Sequence, residues 1–477
     1  MARVVIIGAG FAGHTAALYL RSKLGTEHHV TVVNRYDYFG FVPSWVWVGV
    51  GHMAPSQTTI PLKPVYDRMQ IGFVQGVVTE IHPDDRYLLV SRQDRSEPER
   101  HDYDYLLIAT GPKLNFAATP GLGPAAGNTT SICTLDHAIA ARDSYLSYVH
   151  RLEKGDRVRF VIGTGHAGAT CQGAALEYIS NMHKDLVKRR LRNRADLVYL
   201  SNERALGDFG VGGLRARYKG QPISSAEFIG AVYKEYGITT EIQRGVHTVD
   251  AQRIYWEDYA GNEGETTYDF AMLIPQFTGQ PIKYIGHDGS DVAAKVVTPA
   301  GLVKVDAIYG LDYATLRERP DAWPATYQNP NYPNIFAAGI AFAPPGPISA
   351  PHITRNGTSI SAAPPRTGMI AGVIGRITAF NIADLIKSGT MHHRERMTEM
   401  FAACVASMGS SLWDGEAATI FMYPVVPDFQ RFPHSEGRDP FVTHMEMGTS
   451  GAWMKRMVHE TFMHKFKARP GWQIIPE

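Results

Sequence analysis

Short runs of Val, Ile and Leu closed by glycine recur along this chain. The opening "RVVIIGAGFAGHTAALYL" is an apolar strand, a turn carrying Gly8, Gly10 and Gly13, and a helical pattern with Ala16 and Ala17 on its inner face. "HVTVVN" follows as a second strand. "YDYLLIATGPKL" is a strand ending in Thr110 and Gly111, "VRFVIG" leads into Gly163, Gly165 and Gly168, and "NIFAAGIA" at 334–341 is again closed by glycine. Strands that are apolar on both faces belong to parallel sheets covered by helices. Residues 66–110 read instead as a strand-rich excursion, 343–368 as a long irregular loop rich in Pro, Gly and Ser, and 184–196 as a basic helix face or loop.

The first glycine turn has the spacing and the strand-to-helix setting of a dinucleotide fingerprint. One glycine makes the tight turn, the next lets backbone approach a pyrophosphate, and the third allows helix to pack on strand. The phosphates then meet the unpaired amides of a helix N-terminus. Where the second strand of such a unit usually ends in an acidic residue, this chain has Asn34 followed by Arg35, and the ribose contact falls to one of them. The second fingerprint predicts a second domain of the same kind. The expected fold is α/β, with two Rossmann-like, doubly wound dinucleotide-binding domains. The first is discontinuous, 1–120 with 300–395; the second spans 121–299; a C-terminal region covers 396–477.

That last region turns Met- and aromatic-rich and ends in "AWMKRMVHETFMHKFKARPGW". Trp453, Met454, Met457, Val458, Phe462 and Phe466 fill a broad helical arc, with Lys455, Arg456, Lys465 and Lys467 between them. Such an amphipathic α-helical segment suits a membrane interface, and it equally suits a helix packed on its own protein.

An apolar fraction of 44% supports a large core, and 47 Lys and Arg against 46 Asp and Glu leave a formal charge of +1. No global field favours nucleic acid. The N-terminus lacks the pattern of a secretory signal, and no run of about 18 uncharged apolar residues predicts a spanning helix. Three cysteines, Cys133, Cys171 and Cys404, have no zinc spacing and are too few for a disulfide scaffold. His459 and His464 stand one residue too far apart for a helical zinc pair, so no metal is expected. The plain reading of the cysteines is three buried thiols. Cys171, just beyond the second glycine turn, invites another, because a helix N-terminus favours a thiolate.

Taken together, "IGAGFAG", "DYFGFVPSWVWVGVG" at 37–51, "YDYLLIATGPKL", "SICTLDHA", "GHAGATCQG", "NIFAAGIA", "PPRTGM" and "CVASMGSS" resemble the sulfide:quinone oxidoreductases, flavoproteins with two dinucleotide-binding domains. The three cysteine contexts carry the resemblance. It implies that Cys171 and Cys404 form a redox pair, joined by a disulfide or a polysulfur bridge at the flavin, and that Cys133 assists sulfur transfer. It implies FAD on Gly8, Gly10, Gly13, Thr110, Gly111, Gly339 and Ile340, with Asn34, Arg35 and Arg366 nearby. The expected reaction oxidises sulfide to sulfur or polysulfide and passes two electrons to a quinone. The expected setting is a peripheral, monotopic position on the cell membrane, with a homo-oligomer as one arrangement. Phe421, Tyr423 and Phe429 are candidate quinone contacts, and His137 a candidate proton shuttle.

The chain departs from that pattern in three places. The usual lysine is Arg366, the usual glutamate is Gly372, and Asp208 stands for a histidine. Arginine keeps the charge but does not release a proton. Three rival readings stay open: a type II NADH:quinone oxidoreductase using the second fingerprint, the flavoprotein subunit of a flavocytochrome sulfide dehydrogenase, and a flavin-binding protein without turnover.

Overall fold

A computed structural model describes residues 1–218, 220–413 and 415–477. The apolar runs become the strands of two parallel sheets. In the first sheet the order is Ile335–Ala337, Tyr105–Ile108, Arg3–Ile7, His29–Asn34 and Gly72–Gln75, every neighbouring pair parallel. Val4, Ile6, Val32, Leu106 and Phe336 are all fully buried there, as expected of strands covered on both faces. Helix Phe11–Leu24 lies on this sheet, and helix Gly368–Ser388 lies on that helix. Gly375 makes the close approach possible: a Cβ on it would stand 2.3 Å from the carbonyl oxygen of Ala12. Gly368–Ser388 is also long and apolar enough to cross a membrane, although Arg376 and Asp384 interrupt it; 61% of its most apolar window is buried in the protein. It is a core helix.

The predicted excursion is an antiparallel sheet of Val77–His82, Tyr87–Ser91 and Glu99–Asp102, joined by Lys283–Tyr284. The second parallel sheet runs Thr239–Glu241, Ala195–Leu200, Val158–Thr164, Phe270–Ile274. Beside it an antiparallel sheet of Arg244–Val249, Arg253–Asp258 and Glu263–Thr267 encloses a smaller apolar core with Leu122, Val161 and Leu200. Lys113–Asn115 and Gln276–Thr278 pair antiparallel, linking the segment after the first sheet to the segment after the second.

The C-terminal region holds more than the predicted helix. Strands Ala402–Met408, Glu416–Met422 and His444–Gly448 form a sheet that continues into Arg215–Tyr218 and Gln221–Ser224. Helix Thr449–Phe466 lies on Ala402–Met408 and Glu416–Met422. The predicted arc is not the face that is buried. Gly451, Ala452, Lys455, His459, Met463 and Phe466 are buried, only Phe466 of them in the arc, whereas Met454, Val458 and Phe462 are half-buried and Trp453 and Met457 are each 58% exposed. Lys455 and Lys465, expected near lipid headgroups, are buried in ion pairs with Glu177 and Glu477. The strands escape the sequence pattern because Ala402–Met408 and Glu416–Met422 carry no alternation of polar and apolar residues and so offer no strand period beside the helical signal that follows.

Candidate functional site

The first glycine turn is open. Gly8 takes a left-handed φ of +99°, and a Cβ there would stand 2.3 Å from the Ala109 carbonyl oxygen; one on Gly13 would stand 1.9 Å from the Gly8 oxygen. These two are fixed by packing. A Cβ on Gly10 or on Gly111 would meet no neighbouring atom within 4 Å, so the space above both glycines is clear of protein. Helix Phe11–Leu24 begins immediately after Gly10 with no side chain capping it, leaving its first amides for a ligand. Asn34 Oδ1 accepts from the Ala9 amide at 2.9 Å and Nδ2 donates to the Tyr36 carbonyl at 2.8 Å, so this side chain braces the loop. Arg35 is exposed. Thr110 donates to the Gly111 carbonyl at 3.3 Å. At the far end Gly339, φ +66°, packs on Ala12 and Ala371, and with Ile340, Phe342, Arg366 and Thr367 it lines a narrow cavity. The Thr367 hydroxyl there is buried without a partner. An open phosphate seat, an uncapped helix and an orphaned hydroxyl at the other end fit a flavin dinucleotide.

The second glycine turn is closed. A Cβ on Gly165 would stand 2.6 Å from Leu122, and Thr119 donates to the Gly165 carbonyl at 2.7 Å. The 343–368 loop crosses the turn: Ser361 N–H donates to Ala167 and Ala363 N–H to Ala169, at 3.0 and 3.1 Å. Asn202 Nδ2 donates to the Ala167 and Ala169 carbonyls. The helix does not start at the glycines but at Gln172, and Cys171 is its N-cap, held in the left-handed region at φ 65°, ψ 34°. Cys171 therefore stands at the helix mouth, where phosphate would otherwise meet the amides. Thr170 locks it by donating to the Pro364 carbonyl at 2.9 Å.

Cys133 and Cys404 approach from other elements. Cys404 lies on strand Ala402–Met408 opposite Ile420, and a Cβ on Gly173, in the first turn of the Cys171 helix, would stand 4.0 Å from its Sγ. All three cysteines are free thiols and partly buried. The charge of Cys171 is felt at both the others, raising each. Burial pushes the Cys171 and Cys404 thiols up to about 11 and the Cys133 thiol up to about 12. The helix N-terminus was expected to favour the thiolate; loss of solvent outweighs it. Opposing burial at Cys171 are the Thr170 hydroxyl and the charge of Arg366, whose guanidinium is itself lowered to about 10 by burial. Arg366 thus faces the sulfur as well as the cavity at Gly339, over the ring of Phe342.

Residues that carry no signal in the sequence surround Cys404. Lys455 Nζ pairs with Glu177 Oε1 at 2.9 Å, both side chains being nearly inaccessible, and donates to the Val405 carbonyl at 3.0 Å. Ser407 donates to Glu177 through its amide, 3.0 Å, and its hydroxyl, 2.5 Å. Glu177 raises the Cys404 thiol and Lys455 lowers it. A buried ion pair costs desolvation, and losing either partner would leave the other charge buried and uncompensated. The one hint available was Glu177's place on the Cys171 helix; Lys455 was hidden in an amphipathic pattern.

His137 lies in the first turn of helix Leu135–Glu153, near Cys133 in sequence. Its Nδ1 is buried without a partner, its ring meets Phe116 edge-on at 5.7 Å, and burial lowers its pKa. The three quinone candidates occupy separate contacts. Phe421 stacks on Phe401 and His444, Tyr423 accepts from Arg431 at 2.7 Å, and Phe429 lies under Arg317 beside a different cavity of about 330 Å³. Asp208 is buried against Ser349 and the amide of Gly210. The place of a side chain at Gly372 is filled from elsewhere: a Cβ there would stand 3.0 Å from Glu477 Oε2. Among the described residues no group of three or more His, Cys, Asp and Glu could hold a metal.

Residues 2–194 match the family model of the pyridine nucleotide-disulphide oxidoreductases. The sulfide-quinone reductase of Aquifex aeolicus is 29% identical over 429 residues, 90% of this chain and 85% of that one. The X-ray structure of the sulfide:quinone oxidoreductase from Aquifex aeolicus superposes with a TM-score of 0.75 at 27% identity, covering 98% of this chain and 92% of that one. The structure of NDH2 from Plasmodium falciparum with NADH shares the fold, TM-score 0.65 at 12% identity over 99% and 97% of the two chains.

Proposed function

We infer that this chain, which resembles the sulfide:quinone oxidoreductases along nearly its whole length, oxidises sulfide and passes the electrons through FAD to a quinone. The observation that carries this over the NADH reading is the closed second turn, with Leu122 and Ser361–Ala363 on it and Cys171 at the helix mouth. FAD would rest on Gly8, Gly10, Gly13, Thr110 and Gly111, with Gly339, Ile340 and Thr367 at its reactive end. When bound it supplies a two-electron acceptor beside Cys171 and a donor to quinone.

In the oxidised Cys171–Cys404 pair, hydrosulfide attacks one sulfur of the bridge, forming a persulfide there and releasing the other cysteine as thiolate. Each cysteine has a cation in reach of that charge. Arg366 serves Cys171 and Lys455 serves Cys404, with Glu177 fixing Lys455 in place. Lys455 is nearly inaccessible to solvent, which strengthens its attraction for a thiolate at Cys404. The Cys133 thiol, raised by the charge of Cys171, supports a role for Cys133 in taking over sulfur, and the unpartnered Nδ1 of His137 supports one in moving a proton. Because Arg366 cannot act as a proton donor, protons for the quinone come by another route.

Membrane docking rests on an exposed apolar rim. Leu412, Trp413, Trp453 and Met457 are 47%, 92%, 58% and 58% exposed, and Trp453 donates to the Leu412 carbonyl, so loop and helix form one patch. Tryptophan at such a rim suits the lipid interface. Removing the helix is not a clean test, because the Phe466 carbonyl bonds buried His14 at 2.8 Å. Trp413→Glu with Trp453→Glu should release the protein from lipid vesicles and leave the flavin bound.

The test of the whole reading is anaerobic flavin bleaching, with sulfide in one cuvette and NADH in another, followed by a short-chain quinone. Bleaching by sulfide alone, reversed by quinone, is expected. Bleaching by NADH would replace this reading with the dinucleotide one.

A further inference from the structure

A cavity of about 800 Å³ opens at the carboxyl ends of strands Ala195–Leu200 and Thr239–Glu241, walled by Arg204, Gln243, Tyr259 and His352. In a doubly wound domain this crevice receives the adenosine half of a dinucleotide. The pyrophosphate half is covered, as described above, whereas the described residues leave this half open, the same 343–368 segment forming one wall through Ala350, Pro351 and His352. Tyr259 and His352 lie parallel with ring centroids 4.1 Å apart, held by a 2.7 Å bond between His352 Nε2 and the Tyr259 carbonyl. They present a fixed aromatic edge to the cavity.

The carboxylate that would read a ribose diol has been turned away. Glu203 is fully buried, accepting from the hydroxyls of Tyr199 and Ser201 at 2.7 Å each and from the Phe209 amide at 2.9 Å. The next residue, Arg204, is exposed, makes no ion pair among the described residues, and its charge is felt at Tyr259. Arg215, also on the wall, pairs with Glu436 at the rim at 2.8 Å. An arginine in place of the diol carboxylate suits a phosphate on the ribose 2′ position.

We propose that this cavity is a binding site for 2′-phosphorylated adenosine nucleotides, the surviving half of a dinucleotide site whose hydride-transfer half is closed. The ligand would be held by Arg204 at its 2′-phosphate and by Tyr259 and His352 at its base. It would not reduce the flavin.

Calorimetric titration of the flavin-loaded protein with 2′,5′-ADP tests this, with 5′-AMP and inorganic phosphate as the other arms. One 2′,5′-ADP per chain should bind, at least about tenfold tighter than 5′-AMP or phosphate. Arg204→Gln should weaken it about tenfold or more, and Tyr259→Ala should weaken it too. NADPH should compete without bleaching the flavin. Absence of 2′,5′-ADP binding, equal binding of phosphate or 5′-AMP, or undiminished binding by Arg204→Gln would each overturn the proposal. Flavin content and sulfide bleaching of the same Arg204→Gln sample, expected to be unchanged, report folding and keep this result separate from the sulfide reading.

Discussion

Two glycine turns of one sequence pattern end in opposite states. At the first, the helix begins immediately after Gly10, its amides are uncapped, and the space over Gly10 is clear of protein. At the second, the helix begins at Gln172, Cys171 caps it, and Leu122 with the 343–368 loop fills the approach. The glycine spacing is shared; what differs is where the helix starts and what the rest of the chain lays across the turn. A fingerprint therefore records a fold, and the neighbours of the turn decide whether phosphate, or a sulfur, occupies the helix mouth.

The comparison breaks most visibly at the open turn. Gly10 has an ordinary φ of −77°, so Gly10→Glu should fold, but its carboxylate would take the phosphate seat. We expect bound flavin to fall at least about tenfold, read as the flavin-to-protein absorbance ratio. Gly168→Ala, which meets only ordinary contacts at 3.5 Å, should leave the flavin in place. Full flavin content in Gly10→Glu would mean that the open turn is not the phosphate seat.

Both parallel sheets were legible in the sequence because their strands are buried on both faces and their turns need glycine at fixed places. The C-terminal sheet was not. Its first two strands show no alternation of buried and exposed positions, and they lie in a segment whose Met and aromatic content reads as helix. The three cysteines were singled out through their local contexts. Glu177 and Ser407 were invisible and Lys455 was read as an interfacial cation, since the reason for their burial is a contact between helix and sheet hundreds of residues apart in sequence. The closure of the second turn was equally hidden: nothing in "TPGL" or "TSISAA" announces a plug. Glycine patterns encode local backbone geometry, whereas occupancy is a tertiary property.

At the sulfur-bearing turn the largest loss should come from the cysteine pair. Cys404→Ser should keep its flavin and lose sulfide bleaching by about a hundredfold or more, measured anaerobically by stopped flow. Retained bleaching would remove the bridge from the mechanism. The reduced protein carries a pH signature as well. Cys171 and Cys404 titrate near 11 when folded, against an ordinary 9.0, so the folded state holds their protons longer. The stability from these buried thiols is complete below pH 9 and lost as pH rises towards 11, visible as a fall in melting temperature steeper than that of a double Ser variant, which keeps only the share of Cys133 and the buried tyrosines. Arg366→Gln is a smaller perturbation of the same turn. Without its cation the Cys171 thiol should rise further, and the sulfide half-reaction should slow about tenfold at neutral pH, while Arg366→Lys restores most of it. An unchanged pH profile in Arg366→Gln would assign the arginine to the flavin alone.

The smallest expected effect falls on the plug. Leu122 is 4% exposed and fills the space over Gly165. Leu122→Ala should cost about 2–5 kcal/mol of stability from the smaller apolar core it shares with Val161 and Leu200. It should still not admit NADH, because the Ser361 and Ala363 amides remain bonded to the Ala167 and Ala169 carbonyls and Cys171 still caps the helix. The measurement is anaerobic bleaching with NADH, for which no reduction above the wild-type background is expected. Closure is built from three independent elements, one side chain, one crossing strand and one cysteine at the helix mouth, so losing a single one leaves the turn closed. Bleaching of Leu122→Ala by NADH would instead make Leu122 the sole barrier, and the two turns would differ by one side chain.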